Sequence, residues 1–252
     1  MIVKFKESDN FKFFINNLLY LMNLKNSRIL VVAAHPDDDI LGCGGTLLKA
    51  KSLKTKIKIL YLGEGVSSRF GIGKENSIAS LKAREVRKKE CLNSLKVIGV
   101  NDYVFEERFC TRFDEYPLLD LVKSIEREIS KFKPTLIFTH NQSEVNIDHK
   151  LSYDAVEVAS RPKKNCSIKK VYSFEIVCSG NWKFNKSFSP TTYVDISNFI
   201  DKKLKSWRKY KSESKKFPFP RSDEGLKTLA RYRGMQSYLK YAEAFKLERE
   251  YL

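Results

Sequence analysis

Apolar residues along this chain form short unbroken runs, and between the runs they recur every three or four positions. The runs at 28–34, 57–62 and 134–139 are mostly apolar, which is typical of parallel strands covered on both faces. The stretches between them have helical spacing and helical length. This alternation predicts parallel βαβ units and therefore an α/β fold with a mainly parallel sheet.

The same patterns predict the remaining elements. Strands are expected at 28–34, 57–62, 103–105, 134–139, 170–176 and 192–196, and helices at 40–51, 75–95, 118–132, 149–160, 199–214 and 223–245. Right-handed crossovers place the carboxyl ends of parallel strands on one edge of the sheet, where α/β proteins build their sites. We expect residues 1–27 to form an amphipathic N-terminal segment and residues 28–252 to form one domain.

Composition bears on the cellular compartment and on membrane association. The five cysteines are far apart and include no Cys-x-x-Cys pair, which indicates a reduced, cytoplasmic protein. The apolar stretch 11–24 is interrupted by Lys12, Asn16 and Asn17, so an amphipathic docking helix is expected there and no transmembrane segment.

The net charge of +17 raises the question of an anionic partner. The lysines are scattered and show little interleaving with aromatic residues, so a solvated Lys-rich surface is the simpler interpretation, and no specific nucleic acid is expected. Attraction to anionic substrates or polyanions is the alternative.

The three histidines of the chain all lie where apolar runs end. His35 follows the first run, and His140 and His149 follow the run at 134–139. Imidazole is the commonest side-chain metal ligand. Because both segments follow predicted strand ends, we expect them to meet at one edge of the sheet.

Spacing suggests how these residues share a metal. His35 and Asp38 lie three apart on one loop, and His149 opens a helix. Two imidazoles and one carboxylate form a site that leaves a position for water. Asp37 is then placed to accept the proton of that water as a general base. Asp39 is expected to support a ligand or to cap the following helix.

Two other interpretations of the aspartates remain open. Asp37, Asp38 and Asp39 precede a helix, where they would cap its amino end and complement its dipole. Acidic clusters at strand ends also bind Mg²⁺ in phosphoryl-transfer domains. The added histidines favour the mixed His/Asp site over both.

The segment Ala34-His35-Pro36-Asp37-Asp38-Asp39 closely resembles the Ala-His-Pro-Asp-Asp-Glu signature of the PIG-L/LmbE family of zinc-dependent N-deacetylases. The segment Asn146-Ile147-Asp148-His149 resembles its second motif, and weaker similarity extends from about residue 28 through nearly the whole chain.

The resemblance implies a Rossmann-like three-layer sandwich that removes an N-acetyl group from an amino sugar, either free or linked to a nucleotide or lipid. It implies Zn²⁺, with Fe²⁺ as another possible metal. His35, Asp38 and His149 would be the ligands and Asp37 the base, with Asp148 beside them in support. Arg84 matches a family arginine that faces the substrate.

This chain departs from the family pattern in two places. Asp39 stands where the signature has Glu, and Asn146 stands where some members have a histidine that stabilises the oxyanion or protonates the leaving amine. Asn146 can donate a hydrogen bond but cannot deliver a proton at neutral pH. We hypothesise that His140, six residues earlier, takes part of that role; a structural histidine at the strand end is the alternative.

Residues elsewhere on the predicted rim add candidates for substrate contact. Ser68 and Arg69 follow the second strand, and Trp182 and Arg221 suit a lid or sugar-stacking position. Two further functions compete with the deacetylase: an Fe(II) enzyme using the same ligand set, and a basic polyanion-binding module with a non-catalytic metal site. A homo-oligomer remains possible.

Overall fold

The protein is described here from a computed structural model covering residues 24–184 and 187–251. The predicted amphipathic segment therefore lies almost wholly outside the described residues. Within these ranges the elements in chain order are β1 Arg28–Ala33, α1 Asp38–Ser52, β2 Lys56–Gly63, α2 Ile78–Ile98, β3 Asp102–Arg108, α3 Leu118–Phe132, β4 Leu136–His140, α4 Ile147–Ala159, β5 Lys170–Phe174, β6 Thr192–Asp195, α5 Ile200–Trp207, α6 Asp223–Met235 and β7 Ala242–Glu250.

The strands form one sheet in the order β3-β2-β1-β4-β5-β7-β6. Strands β1 to β5 pair in parallel, whereas β7 runs antiparallel to both β5 and β6. The expected α/β fold with a mainly parallel sheet is confirmed. β1 lies inside the sheet between β2 and β4 and is buried after its first residue, as its unbroken apolar run predicts.

Helices cover both faces of the sheet and give three layers. One core contains residues of α1, α2, α5 and α6, and the other contains residues of α3 and α4. Side chains alternate between the two cores along β1, with Val31 in the first and Val32 in the second, because successive strand residues point to opposite faces.

Helix α1 is bent at Cys43, whose φ of −142° and ψ of 15° are not helical. The bend frees the backbone N–H groups of Gly45 and Thr46, and both donate to the carboxylate of Glu243 from β7 at 2.7 Å. Lys203 of α5 completes the arrangement, with Nζ 2.6 Å from Glu243 Oε1. A buried ion pair thus supplies the partners that the broken helix lacks.

The predicted helix 223–245 is wrong in its second half. α6 ends at Met235, and residues 242–250 form β7. The chain reverses direction after Gly234. A hydrogen bond from Leu239 N to Gly234 O at 2.9 Å closes this turn. A Cβ at Gly234 would lie 2.4 Å from the Leu239 carbonyl oxygen, so the close approach requires glycine.

The predicted helix 199–214 is also too long. α5 ends at Trp207, and the following residues form tight turns, such as Tyr210 N to Trp207 O at 2.9 Å. Burial of the Tyr210 ring anchors these turns. In the part of the chain that the structure describes, no helix is long and apolar enough to cross a membrane.

Candidate metal centre and active site

The three histidines meet at the carboxyl edge of the sheet. His35 follows the end of β1, His140 is the last residue of β4, and His149 lies in the first turn of α4. The rings of His140 and His149 stack with centroids 4.0 Å apart, and those of His35 and His149 are 5.6 Å apart. All three side chains are buried.

Asp38 lies at the centre of this cluster. Its Oδ2 atom is 3.5 Å from His35 Nδ1 and 3.5 Å from His149 Nε2. Ligand atoms of His35, Asp38 and His149 all lie within 4.8 Å of one another. Burial opposes ionisation of Asp38, but His149 and His140 outweigh it and hold the pKa of this carboxyl well below its usual range.

A carboxylate stands behind each of the two outer imidazoles. Asp148 Oδ2 lies 2.8 Å from His35 Nε2, and Glu144 Oε2 lies 3.3 Å from His149 Nδ1. A proton on the nitrogen that faces Asp148 or Glu144 would leave the nitrogen nearest Asp38 to a cation. Burial opposes protonation of His35, but Cys110, Asp148 and Asp38 raise its pKa well above the usual value, so a cation bound there would displace a proton.

Backbone and side-chain donors hold both of these carboxylates. Thr111 N and Phe113 N donate to Asp148 at 2.5 and 3.0 Å. Glu144 accepts from Asn141 Nδ2 at 3.0 Å, Ile176 N at 3.2 Å and Ser179 Oγ at 2.6 Å. Such contacts fix the carboxylates and, through them, the ring orientations of the histidines.

Gly65 allows the loop after β2 to approach His35. A Cβ at this position would lie 2.9 Å from His35 Cβ, and the φ of +79° disfavours any other residue. The position of His35 therefore depends on a glycine outside both histidine segments.

Asp37 adopts a φ of 121°, which is a costly conformation for a residue with a side chain. Its Oδ2 atom lies 3.3 Å from Arg87 Nη1 and 3.2 Å from Arg221 Nη1. Burial raises the pKa of this carboxyl to about 6, against the opposing effect of the two arginines. Asp37 makes no side-chain capping bond to α1, so the expected N-cap alternative does not describe it.

Asp39 is fully buried, and neither of its carboxylate oxygens has a hydrogen-bond partner among the described residues. Burial raises its pKa to about 7. No hydrogen bond between Asp39 and a histidine is present among the described residues, and its supporting role stays a prediction.

His140 and Asn146 have defined partners. Ala34 N donates to His140 Nε2 at 2.9 Å, and burial lowers the pKa of His140 to about 4, so this ring is neutral and its proton is on Nδ1. Asn146 caps α4, its Oδ1 accepting from Asp148 N at 2.9 Å. The catalytic roles predicted for both residues stay predictions.

The predicted substrate residues lie on the rim but not together. Arg84 contacts the Glu75 carbonyl and lines a groove of about 570 Å³ between α2 and β3. Arg69 lines a different cavity of about 440 Å³, which Ser179, Trp182 and Arg221 also line. Ser68 is exposed, with Oγ 3.3 Å from Cys110 Sγ. Two residues in the wall of the second cavity contact the site, since Ser179 contacts His149 and Arg221 contacts Asp37.

Three residues next to the histidine cluster or Asp37 were not predicted from the sequence. Glu144 backs His149, while Arg87 and Glu213 form a buried ion pair next to Asp37. Arg87 lies in a helix rich in lysine and arginine, and Glu213 lies in a basic segment. Only its position five residues before His149 could have suggested Glu144, and nothing in the sequence separates the other two from surface charges.

The donor set fits a divalent cation. Two imidazole lone pairs and a carboxylate converge in a buried space, and Asp38 Oδ1 has no hydrogen-bond partner among the described residues. A buried carboxylate oxygen without a donor is costly unless a cation satisfies it. His35, Asp38 and His149 thus form a candidate metal site.

Proteins of similar sequence and similar fold include deacetylases. A curated relative, the diacetylchitobiose deacetylase of Thermococcus kodakarensis, is 26% identical over 96% of this chain and 93% of its own length. The solved N,N'-diacetylchitobiose deacetylase of Pyrococcus horikoshii superposes with a TM-score of 0.70 at 20% identity, covering 98% of this chain and 94% of that one.

The same fold also supports other chemistry. The 4-carboxy-2-hydroxymuconate hydratase of Pseudomonas putida KT2440 superposes with a TM-score of 0.69 at 18% identity, covering 90% of this chain and 98% of its own. The fold alone does not select a reaction. The family model described as PIG-L, GlcNAc-PI de-N-acetylase, matches residues 30–160, about half of the chain including all three histidines. The resemblance expected from the sequence is confirmed, and the chain belongs to the PIG-L family.

Proposed function

We propose that this protein is a zinc-dependent N-deacetylase that hydrolyses the acetamido group of an amino sugar or sugar conjugate. The observation that carries the proposal is the convergence of His35, Asp38 and His149, whose ligand atoms lie within 4.8 Å of one another, beside the buried carboxylate of Asp37. The deacetylase relatives and the family match support the reaction type.

His35 Nδ1, Asp38 and His149 Nε2 would hold the cation. A bound Zn²⁺ would polarise the acetyl carbonyl and lower the pKa of a coordinated water toward ~7. The protein's own contribution is orientation, because Asp148 and Glu144 keep the two imidazoles in the required tautomer. Exclusion of bulk water follows from the burial of all these side chains.

Asp37 acts as the general base and then as the acid. Both arginine contacts fall on its Oδ2 atom, which leaves Oδ1 to take a proton from the attacking water. When the C–N bond of the amide breaks, the same proton passes from Asp37 to the leaving amine, giving acetate and a free amino group. Arg87 and Arg221 hold the carboxylate in place between the two transfers.

Two neutral donors remain for the oxyanion. The side-chain NH₂ of Asn146 is not used in capping α4, and His140 carries its proton on Nδ1 because Nε2 accepts from Ala34. Either group can donate a hydrogen bond to developing negative charge. We assign the proton transfer to Asp37 rather than His140, since a neutral imidazole is a weak acid.

The cavity of about 440 Å³, whose wall residues Arg221 and Ser179 contact Asp37 and His149, suits a sugar-sized ligand. Trp182 at its edge offers a face for stacking against a sugar ring, and Arg69 and Arg221 offer hydrogen-bond donors. Arg84 lies in the separate groove, so we place its contact at a distal part of the substrate.

Acetate release tests the function directly. Zinc-loaded protein incubated with a panel of N-acetylated sugars, sugar nucleotides and glycolipids should liberate acetate and a free amine from at least one compound. Failure with every member while the protein is folded and metal-loaded would contradict the proposal. Metal analysis of the purified protein separates Zn²⁺ from Fe²⁺, since the same ligands suit both.

The Asp37→Asn variant separates catalysis from metal binding. We expect kcat to fall by ~10²–10⁴-fold while zinc content stays at the wild-type value, because Asp37 is not a ligand. The His149→Ala variant should instead lose the metal. A fully active Asp37→Asn enzyme would rule out its assignment as the base.

A further inference from the structure

Four solvent-exposed aromatic side chains lie on or next to the wall of the cavity of about 440 Å³. They lie on two loops: Trp182 and Phe184 are 56% and 90% exposed, and Phe217 and Phe219 are 56% and 39% exposed. We call them the aromatic rim. Trp182 and Phe219 line the same cavity, so the two loops are neighbours in space.

The loops that carry the aromatic rim have one sign of charge. Residues 205–221 contain seven Lys or Arg and a single acidic residue, Glu213, and no acidic residue occurs between Glu175 and Asp195. Glu213 is buried in its ion pair with Arg87. Lys211, Lys215 and Lys216 are exposed, so the surface next to the rim is cationic.

We infer that the aromatic rim is a docking surface for an anionic lipid bilayer. Exposed aromatic residues flanked by cations combine the two contributions that interfacial binding needs, apolar burial and attraction to anionic headgroups. A phenylalanine that is nine-tenths exposed gains free energy when its ring leaves water. Because Arg221 and Ser179 of the cavity wall contact Asp37 and His149, docking places this cavity against the headgroups.

The backbone of the rim also suits insertion at the interface. Phe217 and Phe219 alternate with Pro218 and Pro220, and proline has no N–H group to lose its water. The loop is closed by hydrogen bonds from Lys215 N to Arg221 O and from Phe219 N to Lys216 O. A closed loop presents its rings without first paying an ordering cost. Nucleic-acid phosphates, by contrast, would find few backbone donors at this tip.

Vesicle sedimentation tests the inference. Wild-type protein should pellet with vesicles containing one-third phosphatidylglycerol in phosphatidylcholine at physiological ionic strength, and much less with pure phosphatidylcholine. The Phe184→Ser/Phe217→Ser variant should bind the mixed vesicles at least tenfold more weakly. The Lys215→Gln/Lys216→Gln variant should also weaken binding tenfold or more, since each cation near an anionic surface is worth about fivefold.

Matched controls lie at the opposite edge of the sheet. Leu53 is 41% exposed, and Lys54 and Lys56 are exposed at the start of β2. The Leu53→Ser and Lys54→Gln/Lys56→Gln variants should bind like wild type, although the second makes the same change in net charge. Thermal unfolding and circular dichroism establish that each variant is folded.

The outcomes are decisive either way. Equal losses in the rim and control variants would show that only net charge matters and would overturn the proposal. Weak binding to mixed vesicles combined with tight binding to single-stranded DNA or heparin would assign the surface to a soluble polyanion instead. None of these measurements requires deacetylase activity, so the inference stands or falls independently of the proposed function.

Discussion

At the residue scale, two carboxylates that contact the histidines, Asp148 and Glu144, would influence what the candidate site binds. His35 and His149 each have one ring nitrogen near an acidic oxygen and one near Asp38. Without Asp148 and Glu144 each ring would be free to carry its proton on the inner nitrogen, which would block coordination. At the proposed site, metal affinity would therefore depend partly on residues that do not touch the metal.

Replacing Glu144 by Gln should weaken zinc binding by about 10–100-fold, because the amide accepts the His149 proton less strongly. Competition with a chromophoric chelator measures the affinity. Glu157→Gln serves as the control. Glu157 is exposed on α4, the helix that carries His149, and its replacement should leave zinc affinity unchanged. Equal zinc affinity in wild type and Glu144→Gln would remove Glu144 from the metal site.

Substitutions at two glycines distinguish the effect of backbone strain from the effect of crowding His35. Gly65 and Gly73 share a positive φ, +79° and +75°, but only Gly65 lies against His35; a Cβ at Gly73 would meet nothing within 4 Å. Gly65→Ala should therefore lower both stability and zinc affinity, whereas Gly73→Ala should lower stability alone. Denaturation and metal titration of the pair check this, and a normal zinc affinity in Gly65→Ala would contradict it.

The sequence was informative about ligands and much less about their supports. The spacing of His35 and Asp38 and the strand ends before them predicted that His149 would join them, and the structure brings these three together. Glu144 and Arg87 carry no comparable signal, because their roles arise only when distant segments pack. The reason is physical, because the sequence around a loop carboxylate does not show whether the folded chain places it against water or against a histidine.

At the scale of elements, the bend of α1 ties the first histidine segment to β7. The N–H groups of Gly45 and Thr46 have Glu243 as their acceptor, and α1 begins at Asp38 itself. The helix that carries a proposed metal ligand is thus secured by a residue 198 positions after Gly45 in the chain.

Glu243→Ala should lower the free energy of unfolding by about 3–5 kcal/mol, since it leaves Lys203 buried without a counter-ion and two backbone donors without an acceptor. The double variant Lys203→Met/Glu243→Leu should recover only part of this loss, because the two N–H groups stay unsatisfied. Urea denaturation provides the values. Glu250→Ala near the end of β7 is the control, and a similar loss there would argue against a special role for Glu243.

Elements with strong periodicity were predicted well. The helix 118–132 agrees with α3 at both ends, and the buried strands agree within two residues. The failure at 242–250 has a clear cause: the segment contains Ala, Glu, Lys, Leu and Arg, all good helix formers, yet it fills the space between β5 and β6. Tertiary pairing overrode local propensity there.

At the scale of the whole molecule, ion pairs connect the sheet to its outer layers. Lys58 of β2 lies 2.9 Å from Glu128 of α3, with only 13% and 3% of the two side chains exposed. Burial opposes ionisation of Glu128, but the hydrogen bond from Lys58 prevails and lowers its pKa. Since the folded pKa lies below the unfolded one, this stabilisation is present above the unfolded pKa and disappears as the pH falls through the folded value.

Glu128→Gln should therefore cost about 1.5–3 kcal/mol at pH 7, and the difference from wild type should shrink as the pH falls below about 4. Urea denaturation across that range measures it. Glu107→Gln, whose side chain is 70% exposed and lies 3.7 Å from Lys88, is the control and should cost much less at every pH. A pH-independent difference for Glu128→Gln would show that its contribution is packing rather than charge.

The order of strands has a consequence for synthesis on the ribosome. Because β7 is made last among the described strands yet lies between β5 and β6, β6 has no neighbour until residues 242–250 have left the exit tunnel. Until then α1 also lacks the acceptor at its bend. A nascent chain can form the parallel strands early, but the helix that begins at Asp38 gains its anchor only after β7 has been made.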